Sequence, residues 1–189
     1  SKSLGNFFSI REVLWQFDPE TVRFFILRAH YRSPLNYSDQ HLQDAKQSLD
    51  SLYITLRDVP PETVQLNWND SFAARFKQAM DDDFDSHGAI TVLFELSREA
   101  NKAKSGKLSG LVKALGGVLG MLQANPAEYL KGGVAASGFS AENIDQLIAE
   151  RLTARQARDF TRADAIRKQL SDADVILEDG PLGTTWRRA

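Results

Sequence analysis

Two stretches gather side chains that could do chemistry. The first is Asp81-Asp82-Asp83-Phe84-Asp85, the densest acidic run in the chain. Asp81, Asp82 and Asp85 fit a magnesium arrangement in which carboxylates converge on the ion, with waters and substrate phosphates completing its shell. No second acidic cluster faces them in the sequence. The plainer reading is a helix end followed by the cap of the next helix. The second stretch carries Arg151, Arg155, Arg158 and Arg162 at spacings of four, three and four. On one continuous helix these would share a face. A guanidinium can bond a base edge bidentately, Phe160 can stack on a splayed base, and Asp164 and Asp179 can accept from base N–H groups. Arginine, aromatic and carboxylate within a short span are what recognition of a single-stranded RNA loop requires. The alternative is a solvated charged face.

Other chemistries find little support. His30, His41 and His87 have no neighbouring ligands at metal spacing. Lys104-Ser105-Gly106-Lys107 lacks the glycine spacing of a phosphate-binding loop. The chain of 189 residues contains no cysteine, which excludes disulfides, thiolate zinc sites and a cysteine nucleophile within it. Its net charge of −2 argues against binding nucleic acid by charge alone. Charge is uneven, however: Lys102, Lys104, Lys107, Lys113 and Lys131 face only Glu128 between residues 101 and 140. No apolar run approaches a membrane span, and no basic stretch precedes an apolar one at the start of the sequence, so no signal peptide is expected. A cytoplasmic protein without membrane contact is expected. The first residue is Ser1 and not Met, so a processed chain or a fragment is expected.

The elements that position these residues are mainly helical. Asp18-Pro19-Glu20 is a helix start, with Val22, Phe25, Ile26 and Ala29 as its apolar stripe, broken at Ser33-Pro34. Ser38 caps a helix whose Leu42, Ala45, Leu49, Leu52 and Leu56 form a packing seam, ended by Pro60-Pro61. Asp70 or Ser71 opens a third helix with Phe72, Phe76 and Met80 inward. A fourth runs from about 89 to 104, with Ile90, Leu93, Phe94 and Ala100 inward. A fifth carries Leu108, Leu111, Leu115, Val118, Leu119 and Leu122, and its Gly116, Gly117 and Gly120 permit close helix contact. The expected fold is an antiparallel helical bundle followed by a small α+β domain with a short antiparallel β-hairpin. In the tail, a helix with Ile144, Leu147, Ile148 and Leu152 on one side precedes another with Ala163, Ile166 and Leu170 inward. Strands at 175–178 and 184–187 follow, joined by a loop over 179–183. The domain expectation is a connection over 1–18, the bundle over 19–130, a flexible linker over 131–140 and the tail domain over 141–189.

Several motifs then converge on one family. Ser1-Lys2-Ser3-Leu4-Gly5-Asn6-Phe7 resembles the end of the K-M-S-K-S signature of class I aminoacyl-tRNA synthetases. Thr21 to Leu27, then Ala29-His30-Tyr31-Arg32-Ser33-Pro34-Leu35-Asn36-Tyr37-Ser38, is similar to the start of the helical bundle in the cysteinyl-tRNA synthetase family. Asp81 to Asp85 with Gly88-Ala89 resembles that family's D-D-D-F-N-T-P-x-A stretch. Ile144 to Arg167, and Val175 to Arg188, resemble its C-terminal end.

The resemblance implies the C-terminal part of a synthetase that joins cysteine to tRNA(Cys) using ATP. Residues 1–18 would be the remnant of the catalytic domain's signature loop. Lys2 would be the catalytic residue that binds ATP and neutralises charge developing on its phosphates. Zinc would belong to the parent's catalytic domain, with no cofactor bound to this stretch. The bundle would be a tRNA-docking domain of the DALR type. The tail would read the anticodon through Arg155, Phe160, Asp164 and Asp179; many family members carry Trp where Phe160 stands. The stretch would be inactive alone, and a monomer. The alternative is a stand-alone helical module that binds RNA or protein through the Leu42–Leu56 seam.

Overall fold

A computed structural model describes residues 10–132, 139–180 and 183–188. Among these residues the chain forms nine helices and one antiparallel two-stranded sheet, which is the mainly helical class expected. It divides into two compact units, Ser1–Ala127 and Glu128–Ala189.

The first unit holds α1 (Ile10–Gln16), α2 (Pro19–Leu27), α3 (Asp39–Asp58), α4 (Ser71–Asp81), α5 (Ser86–Ala103) and α6 (Gly106–Val118); α7 (Pro126–Lys131) begins at its end. Helix starts follow the local chemistry. Asp18 accepts from the Glu20 amide at 2.8 Å with Pro19 in the first turn, Ser38 accepts from His41, and Asp70 accepts from Phe72 and Ala73. Each side chain satisfies amides that the first helical turn leaves without partners. The α3 seam of Leu42, Ala45, Leu49, Leu52 and Leu56 is fully buried in the centre of the unit. Each leucine there contributes about 1.5–3 kcal/mol by leaving water. The inward set on α4 centres on Ala73 and Phe76, with Phe72 and Met80 only half-buried.

The inward face of α2 differs from the expected stripe. Thr21, Phe24 and Phe25 are buried, Val22 is half-buried and Ile26 is 49% exposed. Two phenyl rings bury more apolar area than Val22 and Ile26 together with Ala29, and they set the helix rotation. Phe24 meets Phe94 edge-on with centroids 6.3 Å apart, and Phe25 meets Tyr37 likewise. Helix α2 also stops at Leu27, well before the Ser33-Pro34 break.

Polar side chains tie the helices together. Glu20 accepts from the Tyr53 hydroxyl at 2.8 Å and from the Leu122 amide at 2.6 Å, joining α2, α3 and the turn after α6. Between α3 and α5, Thr55 shares a hydrogen bond with Ser97 at 2.7 Å and accepts from Asn101 at 2.7 Å. The end of α6 is tight. A Cβ on Gly116 would come within 2.6 Å of the Leu122 side chain, and Gly120 turns the chain at φ +70°. Val118, expected inward, is half-exposed between these glycines.

The second unit holds α8 (Ala141–Gln156), α9 (Phe160–Ser171), β1 (Val175–Gly180) and β2 (Gly183–Arg188). Ile144, Ile166, Leu170, Val175 and Trp186 form its core, with Phe139, Leu147, Ile148 and Leu177 against it. The Trp186 indole donates to Asp145 at 2.7 Å, so the buried ring keeps a partner for its N–H. A hairpin alone is marginal in water, and here the two helices cover it. The strands pair as far as Gly180 opposite Gly183, two residues beyond the expected end of the first strand and one before the expected start of the second, which draws Asp179 from the expected loop into β1. On α8, Leu152 is 54% exposed, and Arg151 takes the inward place below Ile144, Leu147 and Ile148. Of the expected 131–140 linker, residues 133–138 lie outside the described residues; Lys131 closes α7 and Ser140 caps α8.

Candidate nucleic-acid interface

Helices α8 and α9 meet at a corner where the arginine series changes helix. Helix α8 ends at Gln156, Arg158 adopts a left-handed backbone at φ 60°, and Asp159 caps α9 by accepting from the Arg162 amide at 3.0 Å. The continuous face expected of Arg151, Arg155, Arg158 and Arg162 therefore does not exist, because the backbone turns between the third and fourth. Arg151 is buried, and Arg162 pairs with Glu150 at 3.2 Å across the two helices.

The structure brings Arg155 and Asp179 together. Asp179 is gripped by the Arg151 guanidinium, whose two terminal nitrogens donate to the two carboxylate oxygens at 3.1 Å each. The Thr184 hydroxyl donates to the Oδ1 atom at 2.6 Å, and Arg155 lies 3.9 Å from Oδ2. The Arg151 guanidinium, and then the Thr184 hydroxyl, hold the Asp179 carboxyl well below the usual carboxylate range. The group is charged at neutral pH. Phe160 is the first residue of α9, 61% exposed, and Asp164 is exposed one turn further along the same helix face. A flat apolar ring, a half-exposed guanidinium and two carboxylates are thus carried by the corner and by the adjoining hairpin end. Such a set can stack on an unpaired base and bond its edge.

Sequence reasoning set Arg151 on a shared arginine face and missed its buried bond to Asp179, and it did not single out Thr184. Arg151 lies seven residues after Ile144, in register with the inward stripe, and a basic residue at that position signals a buried carboxylate partner. Thr184 follows from the hairpin register, which sets it opposite Asp179. Lys2 lies outside the described residues.

The acidic run does not converge. Asp81 pairs with Lys77 of its own helix, Asp83 accepts from Tyr31 at 2.7 Å and Arg32 at 2.9 Å, and Asp85 caps α5 through the Gly88 amide at 2.9 Å. Asp81, Asp83 and Asp85 thus turn to different structural partners, so Asp81, Asp82 and Asp85 do not form the expected magnesium arrangement. Among the described residues no group of three His, Cys, Asp or Glu side chains could hold a metal ion. Of the histidines, the His41 Nδ1 atom meets the Asn36 carbonyl, His87 Nδ1 meets the Arg28 carbonyl, and His30 stacks on Tyr31. No described helix is long and apolar enough to cross a membrane.

Comparison with known proteins covers both units. A model of the class I (C) tRNA synthetase catalytic domain matches residues 1–47, a DALR domain model matches 75–123, and a cysteinyl-tRNA ligase anticodon binding domain model matches 138–187. The last of these takes in α8, α9 and nearly all of the hairpin. The chain is 59% identical over 189 residues to a cysteine–tRNA ligase of Dechloromonas aromatica, covering all of this chain and 41% of that protein. It is 56% identical to those of Laribacter hongkongensis and Neisseria meningitidis serogroup B, covering all of this chain and 42% and 40% of theirs. The chain thus spans about two fifths of the length of the curated relatives it matches. With three such domain models in order and more than half of its residues identical to these ligases throughout, the chain belongs to the cysteine–tRNA ligase family, as a homologue of the C-terminal part of its members.

Proposed function

We propose that this chain supplies tRNA docking and anticodon recognition to a cysteine–tRNA ligase. One observation carries the reading: an exposed Phe160 at the α8–α9 corner, in the unit where Arg155 stands beside a charged Asp179. An unpaired anticodon base stacks on the Phe160 ring. Arg155 donates to a base edge, and Asp164 and the free side of Asp179 accept from base N–H groups. The first unit docks on the body of tRNA(Cys), with Lys102, Lys104, Lys107 and Lys113 near the α5–α6 turn and along α6 available to phosphates. In this reading the bundle runs over 19–130 and the anticodon-reading domain over 141–189.

The whole ligase activates cysteine with ATP to a cysteinyl adenylate and passes cysteine to the tRNA 3′ end. Lys2, in the signature loop, offsets charge on the ATP phosphates. The zinc expected in the parent's catalytic domain finds no ligand cluster among the described residues, and no step here runs through it. The reading includes a monomeric protein of the cytoplasm. A stand-alone module working through the Leu42–Leu56 seam is disfavoured, since those side chains are spent inside their own unit.

Equilibrium binding to a fluorescent RNA stem-loop bearing the cysteine anticodon tests the reading. Phe160→Ala removes the stacking surface, worth about 1–3 kcal/mol per base, and should weaken binding roughly 5- to 150-fold. An Asp82→Asn control, far from the site in sequence and in the other unit, should bind as the unaltered chain does. Unchanged affinity in Phe160→Ala would remove the observation on which the reading rests.

A further inference from the structure

Asp179 has fewer free acceptor positions than an exposed carboxylate should. A carboxylate offers about four lone-pair positions. On Oδ1 both are taken, by Arg151 at 3.1 Å and Thr184 at 2.6 Å. On Oδ2 one is taken by Arg151 at 3.1 Å, and Arg155 stands at 3.9 Å, beyond hydrogen-bond reach. One acceptor position remains, on a carboxylate whose side chain is 48% exposed. Arg151 itself is only 7% exposed at its side chain, so no RNA reaches it.

We infer that Arg151, with Thr184, is a positioning residue for anticodon reading: it holds Asp179 so that one Oδ2 acceptor and the neighbouring Arg155 donor face a nucleobase edge side by side. This rests on the anticodon reading proposed above. The physical reason is competition. A carboxylate free to turn about its Cβ–Cγ bond would close on Arg155 and form an ordinary surface ion pair. Donor and acceptor would then satisfy each other, and a base would have to break them apart. Two parallel bonds from a buried guanidinium, with a third from Thr184 across the hairpin, fix the carboxylate plane and keep Oδ2 out of hydrogen-bond range of Arg155. The arrangement is pre-organised, and its cost is met in folding and not in binding. Lysine at position 151 keeps the charge and loses the fork.

The test compares affinities of the 189-residue chain for the cysteine-anticodon stem-loop and for three stem-loops each with one anticodon base changed. Arg151→Lys should lower the preference for the unchanged loop about tenfold at one of the three bases. Thr184→Val, which removes a hydroxyl and keeps the shape, should lower it at the same base. The double variant Arg151→Lys/Asp179→Asn should lose no more than Asp179→Asn alone, because Arg151 acts through Asp179. Losses that simply add would show a structural role only and overturn the inference. If Arg151→Lys does not fold, Thr184→Val decides, and an unchanged preference in it overturns the inference. If Arg155→Ala loses the preference while both positioning variants keep it, the inference fails and the anticodon reading stands. If the unaltered chain shows no preference among the four loops, both fall.

Discussion

Replacing Tyr53 by Phe removes one oxygen from the centre of the first unit. Tyr53 is fully buried, and its hydroxyl donates to the half-buried Glu20 carboxylate at 2.8 Å. The Ala124 backbone amide also bonds to the phenol oxygen. Burial, and then the bond to Glu20, push the phenol far above its usual range, so it acts as a donor at every working pH. Phe leaves Glu20 with the Leu122 amide and leaves the Ala124 amide without this acceptor. A bond to a charged group is worth about 1.5–3 kcal/mol. The expected destabilisation is about 2–3 kcal/mol, read as a fall of roughly 5–10 °C in the melting of the first unit. The loss is pH-dependent. Burial raises the Glu20 carboxyl above its usual range, while the bonds from Leu122 and Tyr53 pull it down. A raised folded-state pKa means that acidification relieves a penalty. Without Tyr53 that pKa rises further, so the variant gains more than the original as the pH falls through it. The gap between the two proteins should therefore narrow from pH 7 to pH 4. Denaturant unfolding across that range is the assay. A gap under about 0.5 kcal/mol at pH 7, within the scatter of neutral substitutions, would refute the role given to this bond. So would a gap that stays constant with pH.

Two further outcomes follow from the same geometry. Gly116→Ala places a methyl group against Leu122 and should destabilise the first unit by about 1–3 kcal/mol in denaturant titration. Asp179 has a depressed folded-state pKa, so its contribution is present above the ordinary carboxylate range and is lost as the pH falls below about 4. Asp179→Asn should therefore flatten the acid limb of the second unit's stability, followed by far-ultraviolet circular dichroism from pH 6 to pH 2.

Legibility in the sequence followed the strength of the local signal. The caps Asp18, Ser38 and Asp70 and the α3 seam are written in short-range chemistry, and the structure keeps them. The stripe of Val22, Phe25, Ile26 and Ala29 places Phe25 correctly but does not show the rotation of α2, because that is decided by which aromatic partners, Phe94 and Tyr37, arrive from elsewhere. The four arginines read as one face because spacing alone cannot show that Arg158 turns the backbone before Asp159 caps a new helix. Arg155, Phe160, Asp164 and Asp179 entered from residue chemistry and from family resemblance. That Asp179 is already gripped from below depends on a contact between α8 and β1 spanning 28 residues, which no local pattern contains.

The measurement closest to the central claim is the ratio of two affinities. The chain is titrated with a stem-loop bearing the cysteine anticodon and with the same stem-loop carrying a scrambled anticodon. The account predicts tighter binding to the first, with the difference abolished in Arg155→Ala at unchanged thermal stability. Equal affinity for the two loops, or a preference that survives Arg155→Ala, would contradict it.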